Sequence, residues 1–181
     1  IVPIETFAFD LAGNLTSRVD RLGQTWVFEF DSFNQAVRET APKPAPASAN
    51  PITVKSWDPV GNLASTTDPI GAVVTYTYDD LNRQRSVTQI VRPYSTVTTT
   101  QSFKTRFDYD ALGNQISTET PAGAITTQVF SPAGELLQQT LPSGVGVART
   151  VYTYDLADRI VGMTYSDGRK VGLLAALAFV A

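Results

Sequence analysis

Cysteine and histidine are both absent from this 181-residue chain. Their absence excludes disulfides, thiol nucleophiles, every triad built on imidazole and zinc sites of the usual nitrogen and sulfur type. Charge is also scarce, with 17% of residues charged and a net charge of −3. No basic cluster stands out, so the electrostatic footprint of a nucleic-acid binder is missing. Long hydrophobic runs are lacking too. The only apolar stretch near a terminus, "VGLLAALAFVA" (Val171 to Ala181), has eleven residues, against about 20 for a membrane span. No cofactor motif is present, because none of the glycines opens a phosphate-binding helix.

What remains is 43% hydrophobic, which argues against disorder over most of the length. A chain of this size buries roughly 70% of its unfolded surface if it folds compactly. It starts at Ile1 without Met and is read as a piece of something longer, so a leader sequence cannot be judged.

One six-residue phrase recurs. "FDLAGN", "FDSFNQ", "WDPVGN", "YDDLNR", "YDALGN", "FSPAGE" and "YDLADR" share an anchor in second place: Asp10, Asp31, Asp58, Asp79, Asp110, Ser131 and Asp155. The residue before the anchor is always aromatic: Phe9, Phe30, Trp57, Tyr78, Tyr109, Phe130 and Tyr154. Three residues after it come Gly13, Asn34, Gly61, Asn82, Gly113, Gly134 and Asp158. These residue types tolerate a left-handed backbone. An Asp that accepts backbone N–H groups, two permissive residues and a closing residue at positive φ make a type I turn with a G1 bulge, a common hairpin loop.

Alternation flanks each phrase, as in Trp26, Phe28 and Phe30, Tyr76 and Tyr78, Phe107 and Tyr109, Tyr152 and Tyr154. Period two predicts strands with one aromatic, buried face. Five residues past the anchors, Leu15, Ala36, Leu63, Gln84, Gln115, Leu136 and Ile160 form a weaker apolar column. A second turn follows at "DRLG" (20–23), "DPIG" (68–71), "TPAG" (120–123) and "LPSG" (141–144), with Gly168 in the same place in the seventh repeat. Each repeat therefore reads strand, turn, strand, turn, giving about fourteen strands and no helix before the tail. Anchor-to-anchor steps are 21, 27, 21, 31, 21 and 24 residues. The extra length falls near the second turns of repeats two, four and six, which places the long loops along a common edge. The fold class expected is all-β, an antiparallel β-hairpin repeat array.

With "YDALGNQISTETPAGAITTQ" and "WDPVGNLASTTDPIGAVVTYTYD" in view, the chain resembles the RHS or YD-repeat family over roughly residues 4 to 170. Relatives of that kind include bacterial polymorphic toxins, toxin-complex subunits, wall-associated proteins and animal teneurins. The resemblance implies a β-sheet strip wound in a spiral into a shell that, in the toxins, encloses a C-terminal toxic domain. It also implies a secreted or cell-surface location. Three departures stand out: only seven repeats, no Pro- and Gly-rich segment of the kind that ends family shells, and "RKVGLLAALAFVA" where another Thr-x-aromatic strand would follow Gly168.

Several residues invite a chemical reading. The anchor aspartates form a row of carboxylates, but acid/base pairs must converge on one substrate, whereas each of these has its own turn to organise. "DYDALGNQISTE" places Asp108, Asp110, Gly113 and Glu119 at positions one, three, six and twelve of a calcium loop, with Leu112 at position five and strands on both sides. That match coincides with the repeat and is read as structural. Trp26, Trp57, Tyr94 and the tyrosine column could stack on sugars; aromatics at period two are more often a packed sheet face, and only Tyr94, in a long loop, is expected to be exposed. "NLT" (Asn14 to Thr16) is a glycosylation sequon that matters only in a eukaryotic secretory route. Residues 171–181 are read as a short helical cap on the last strand or a disordered end, with Leu173, Leu174 and Leu177 at helical spacing.

The reading is thus a non-enzymatic array over residues 1–170 with no catalytic, cofactor or metal residues. Its partners would be neighbouring repeats or other segments of a larger shell protein and a toxin cargo, with self-association through open sheet edges. The alternative is a module that binds glycans or cell-surface partners through its long loops and exposed aromatics.

Overall fold

A computed structural model describes residues 4–46, 49–91, 99–142, 144 and 148–172. The chain divides into two compact modules, Ile1–Phe103 and Lys104–Ala181. The first holds β1 (Thr6–Phe9), β2 (Leu15–Val19), β3 (Thr25–Phe30), β4 (Ala36–Thr40), β5 (Ile52–Trp57), β6 (Leu63–Thr67), β7 (Val73–Tyr78) and β8 (Gln84–Val91). The second holds most of β9 (Gln101–Tyr109), then β10 (Gln115–Glu119), β11 (Ile125–Phe130), β12 (Leu136–Thr140), β13 (Arg149–Tyr154), β14 (Ile160–Tyr165) and β15 (Lys170–Gly172). Within each module every strand pairs antiparallel with the next along the chain. The all-β hairpin array expected from the sequence is what forms.

There are fifteen strands among the described residues rather than about fourteen. The additional one is β15, where Thr164 faces Lys170 and Met163 faces Val171. Two of its residues come from the segment assigned to the tail; the remainder, 173–181, lies outside the described residues.

Antiparallel register sorts the side chains onto two faces. Phe7 lies opposite Arg18, which lies opposite Trp26; Thr66 opposes Val74, and Tyr76 opposes Val87. In the second module Phe107 faces Thr118, and Tyr152 faces Met163. The aromatic residues therefore share one face of each module. The other face mixes Ser and Thr with Val and Ile, as at Val27, Val54 and Val73, and carries hydroxyl rungs at Ser56 to Ser65 (2.7 Å) and Thr77 to Ser86 (2.8 Å).

The expected burial of the aromatic face is corrected by the structure. No hydrophobic side chain among the described residues is buried, and only Ser86, at 3% exposure, counts as interior. Trp26, Phe28, Phe30, Trp57, Tyr76 and Tyr78 are half-buried, while Phe7 and Phe9 are exposed. Period-two alternation reports that one face is apolar, but a sheet needs a second layer over that face to make a core. Among the described residues the side-chain cover comes from cross-strand neighbours.

Each hairpin closed by an anchor turn carries a second irregularity beyond that turn. Phe9 faces Leu15 but Ala8 faces Ser17, so Thr16 is an extra residue on the returning strand. The same shift leaves Val37, Ala64, Arg85, Ile116, Leu137 and Val161 extra in the other six repeats. Such bulges bend the strand and increase its local twist.

Candidate functional site

The repeated turn is the most densely organised feature of the chain. In the first repeat Gly13 N–H donates to the Asp10 carbonyl (3.1 Å) and Asp10 N–H to the Asn14 carbonyl (3.0 Å). That pair of bonds defines a type I turn closed by a G1 bulge. The same two bonds recur at Asp31, Asp58, Asp79, Asp110, Ser131 and Asp155. The closing residues all have positive φ, from 57° at Asp158 to 93° at Gly61 and Gly113. Asn34 (62°) and Asn82 (60°) hold this conformation as well, the residue type that does so most readily after glycine.

The anchor side chain completes the turn. Oδ1 of Asp10 accepts from the N–H groups of Ala12 (2.9 Å) and Asn14 (2.8 Å). Asp31, Asp58, Asp79, Asp110 and Asp155 repeat the arrangement. Oδ2 is taken by the side chain four residues on: the amides of Asn14, Asn62 and Asn114 and the guanidinium groups of Arg83 and Arg159. Repeat six inverts the chemistry. Ser131 Oγ accepts from Ala133 and Glu135 N–H and donates to Glu135 Oε2 at 2.9 Å, so the carboxylate has moved to the fourth position. The sequence carried this signal in a polar column (Asn14, Gln35, Asn62, Arg83, Asn114, Glu135, Arg159) that turn chemistry alone did not single out.

These bonds hold the carboxylates ionised. The Asn14 amide beside Asp10 and the Asn114 amide beside Asp110 keep both acids below the usual carboxylate range. For Asp58 desolvation pushes the other way, and the Asn62 bonds outweigh it. The backbone N–H of Arg83 lowers Asp79, and the Arg159 guanidinium brings Asp155 down to about 2. A general acid at neutral pH needs the opposite shift. Second turns reuse the device at Asp20 and Asp68; in the turn 165–169 the anchor position is held by Tyr165, and Asp167, two residues on, accepts from the N–H and guanidinium of Arg169. At Thr120 the hydroxyl stands in, accepting from Ala124 N–H.

The aromatic before each anchor has a role that its hydrophobicity does not reveal. Trp57 Nε1–H donates to the Ala36 carbonyl (3.0 Å), Tyr78 O–H to Leu63 (3.0 Å) and Tyr154 O–H to Leu136 (2.9 Å). In every case the acceptor lies five residues past the preceding anchor, beside the bulge. The ladder between β6 and β7 joins 65–67 to 73–75 and stops short of Leu63. The bulge parts the strands there, and the tyrosine tip supplies the missing donor. A second tie runs between turns: Asn14 Nδ2 donates to Asn34 Oδ1 (2.8 Å) and Asn62 Nδ2 to Asn82 Oδ1 (2.9 Å).

The remaining candidates fall into this framework. Glu119 pairs with Arg106 at 2.8 Å, and Asp110 holds its own turn, so the calcium-loop positions are not gathered around one point. Among the described residues no group of three or more acidic side chains is placed to hold a metal. Trp26 lies under the Arg18 guanidinium, 5.0 Å from its ring centre. The sequon residue Asn14 uses its amide on Asp10 and Asn34, and Thr16 donates to the Ala8 carbonyl. Tyr94 and 173–181 lie outside the described residues. No described helix is long and apolar enough to cross a membrane.

Comparison with known proteins adds three findings. The family model "RHS Repeat" matches residues 9–44, 57–97 and 130–170, well over half of the chain. Each match opens on the aromatic before an anchor: Phe9, Trp57 or Phe130. No curated protein sequence matches. Among solved structures, the crystal structure of TcdB2-TccC3-Cdc42 is similar at a TM-score of 0.70 and 14% identity, covering 93% of this chain and 10% of that one. The crystal structure of TcdB2-TccC3 without its hypervariable C-terminal region gives 0.67 and 16%, over 90% of this chain and 9% of that one. The Photorhabdus luminescens Tc holotoxin pore with the mutation TccC3-D651A gives 0.51 and 14%, over 93% and 12%. The chain thus spans about a tenth of the length of these structures.

Proposed function

The chain belongs to the RHS repeat family, and from that premise we propose that it is a non-enzymatic wall segment. Its repeats, read as residues 1–170, contribute sheet to a larger shell that holds or presents an effector domain outside the cell or at its surface. The observation that carries the reading is the state of the anchor carboxylates. In repeat after repeat both oxygens are engaged by the turn that bears them. Residues used in this way set strand register and hairpin spacing, and repeat arrays gain stability from neighbour to neighbour. Three of the aromatics offered for sugar stacking have their polar tips committed to backbone carbonyls, which favours wall over glycan site.

The test is protease protection in the longer protein that carries these repeats. Trypsin is expected to spare the enclosed domain in the wild type, and Asp58→Ala combined with Asp110→Ala is expected to expose it. Equal cleavage of that domain with and without the two substitutions would overturn the wall reading.

A further inference from the structure

Turn aspartates elsewhere in the chain are kept away from the glycine that closes their turn. Asp10 and Gly13, Asp20 and Gly23, Asp58 and Gly61, Asp68 and Gly71, and Asp110 and Gly113 are each three residues apart. The turn 165–169 departs from this spacing: Tyr165 holds the anchor position and the acid stands third, as Asp167, directly before Gly168. Of the 12 glycines it is the single one that follows an aspartate, and none follows an asparagine. That juxtaposition has a chemistry of its own. Glycine has no Cβ to obstruct its backbone nitrogen, so the nitrogen can reach the side-chain Cγ of a preceding aspartate. After Asp58 and Asp68 the next residue is proline, which has no N–H to give up.

We propose that Asp167–Gly168 is a self-modification site, at which the chain converts to an isoaspartyl linkage when the β14–β15 hairpin opens. The Gly168 nitrogen forms a bond to Asp167 Cγ, and the acid's hydroxyl leaves with the amide proton as water. A five-membered succinimide closes. Water then adds back to either carbonyl of that ring. Rupture of the Cγ–N bond restores aspartate, whereas rupture of the bond from the Asp167 carbonyl carbon to the nitrogen routes the backbone through the side chain. One water is lost and one is regained, so the step needs no oxidant and no second protein.

The closed turn blocks this step at both reacting groups. Gly168 N–H donates to the Tyr165 carbonyl at 3.0 Å, so the nucleophile is engaged. Asp167 Oδ1 accepts from the Arg169 N–H (3.0 Å) and Oδ2 from its Nε–H (2.6 Å). The backbone N–H and guanidinium of Arg169 hold the acid below the usual carboxylate range, whereas the step needs a neutral acid whose hydroxyl can leave. The guanidinium is steadied in turn by the Tyr165 ring, 5.4 Å away at its centre. What opens the site is its place in the sheet. β15 has three residues, all exposed, and among the described residues it pairs with β14 alone. Short edge elements of this kind open locally at small cost. The isoaspartyl product adds one backbone atom inside the ring that Gly168 N–H closes on Tyr165, so the turn does not re-form in its original geometry. A transient opening thus becomes lasting, and β14 is left as a free edge, the kind that recruits other strands.

This chemistry is independent of the wall reading. To test it, the purified chain is held at physiological temperature and pH and sampled by tryptic digestion. Isoaspartate in the peptide Ile160–Arg169 is followed by chromatography against synthetic standards and by labelling with an isoaspartyl carboxyl methyltransferase. It should accumulate there ahead of every other aspartate, and about tenfold or more slowly than in the same peptide incubated free. That suppression should match the hydrogen-exchange protection of the Gly168 amide within about threefold, because one opening governs both. Arg169→Ala, read in the peptide that then ends at Lys170, should speed the reaction about fivefold, and Asp167→Ser should abolish it. An equal rate in the chain and the free peptide, an Arg169→Ala variant that is no faster, or earlier isoaspartate at another aspartate would overturn the proposal. Each of these results would leave trypsin protection of an enclosed domain, and with it the wall reading, untouched.

Discussion

Replacing Tyr78 with phenylalanine isolates the tie between neighbouring repeats. The substitution removes one hydroxyl, 3.0 Å from the Leu63 carbonyl, and leaves the ring on the sheet face. Burial pushes the Tyr78 phenol above its usual pKa range, which marks the hydroxyl as partly shielded from water. A hydrogen bond of this kind contributes about 0.5–1.5 kcal/mol net. The abandoned carbonyl is only part-buried and regains some hydration, so the expected loss is about 1 kcal/mol. In a module of roughly 100 residues that lowers the melting temperature by about 4–8 °C. Hydrogen exchange localises the effect: protection of the 65–67 and 73–75 ladder should fall about fivefold. Tyr76→Phe is the control, because the Tyr76 hydroxyl makes no hydrogen bond among the described residues. Equal losses from the two substitutions, or none from Tyr78→Phe, would refute the tie.

Three further outcomes follow from the turns. Gly113→Ala places a Cβ in open space but at φ +93°, so thermal melts should show a loss of about 1–2 kcal/mol, whereas Gly172→Ala, with neither constraint, should be neutral. Ser131→Asp alone sets a second carboxylate against Glu135 and should destabilise by ~0.5 kcal/mol; paired with Glu135→Asn it rebuilds the Asp–Asn turn and should raise the melting temperature above wild type. On acidification, the lowered acids contribute stability that is complete above their unfolded pKa, about 3.9, and is lost as pH falls through the folded values. For Asp155 the window runs from about pH 4 down to about 2. Circular dichroism at successive pH values should therefore show loosening in that range, and stability that rises on acidification would contradict the turn assignment.

The turns were legible because their determinants are local. An aspartate, two permissive residues and a left-handed closer specify Asp10–Asn14 without reference to any other strand. The alternation around Trp26, Phe28 and Phe30 likewise fixes which residues share a face. What escaped the sequence depends on neighbours. The bulge at Thr16 exists only relative to the register of β1. The donor role of Trp57 and Tyr78 needs a carbonyl in the preceding repeat. Burial of the aromatic face depends on a second layer that no periodicity within a strand encodes. The fourth-position column was visible but ambiguous, since polar residues after a turn are common for reasons of solvation alone.

Among the described residues no hydrophobic side chain is buried, so the joints between repeats carry much of the specificity, and they are not equally equipped. In the first module, repeats one and two are linked by Asn14 and Asn34, two and three by Trp57 and Ala36, and three and four by both kinds of tie. In the second, Tyr154 links repeats six and seven. Repeats five and six have Phe130 and Gly134 at the two positions, one without a donor and the other without a side chain. Phe130→Tyr should direct a hydroxyl at the Gln115 carbonyl, as Tyr154 does at Leu136, and contribute about 0.5–1.5 kcal/mol. Gly134→Asn should offer an acceptor to the Asn114 amide; its φ of +89° lies in the left-handed region, and a Cβ there meets nothing within 4 Å. Hydrogen exchange across β10 and β11 should slow in both variants. If Phe130→Tyr gains nothing while Tyr154→Phe loses about 1 kcal/mol, the tie is a property of one joint and not of the repeat.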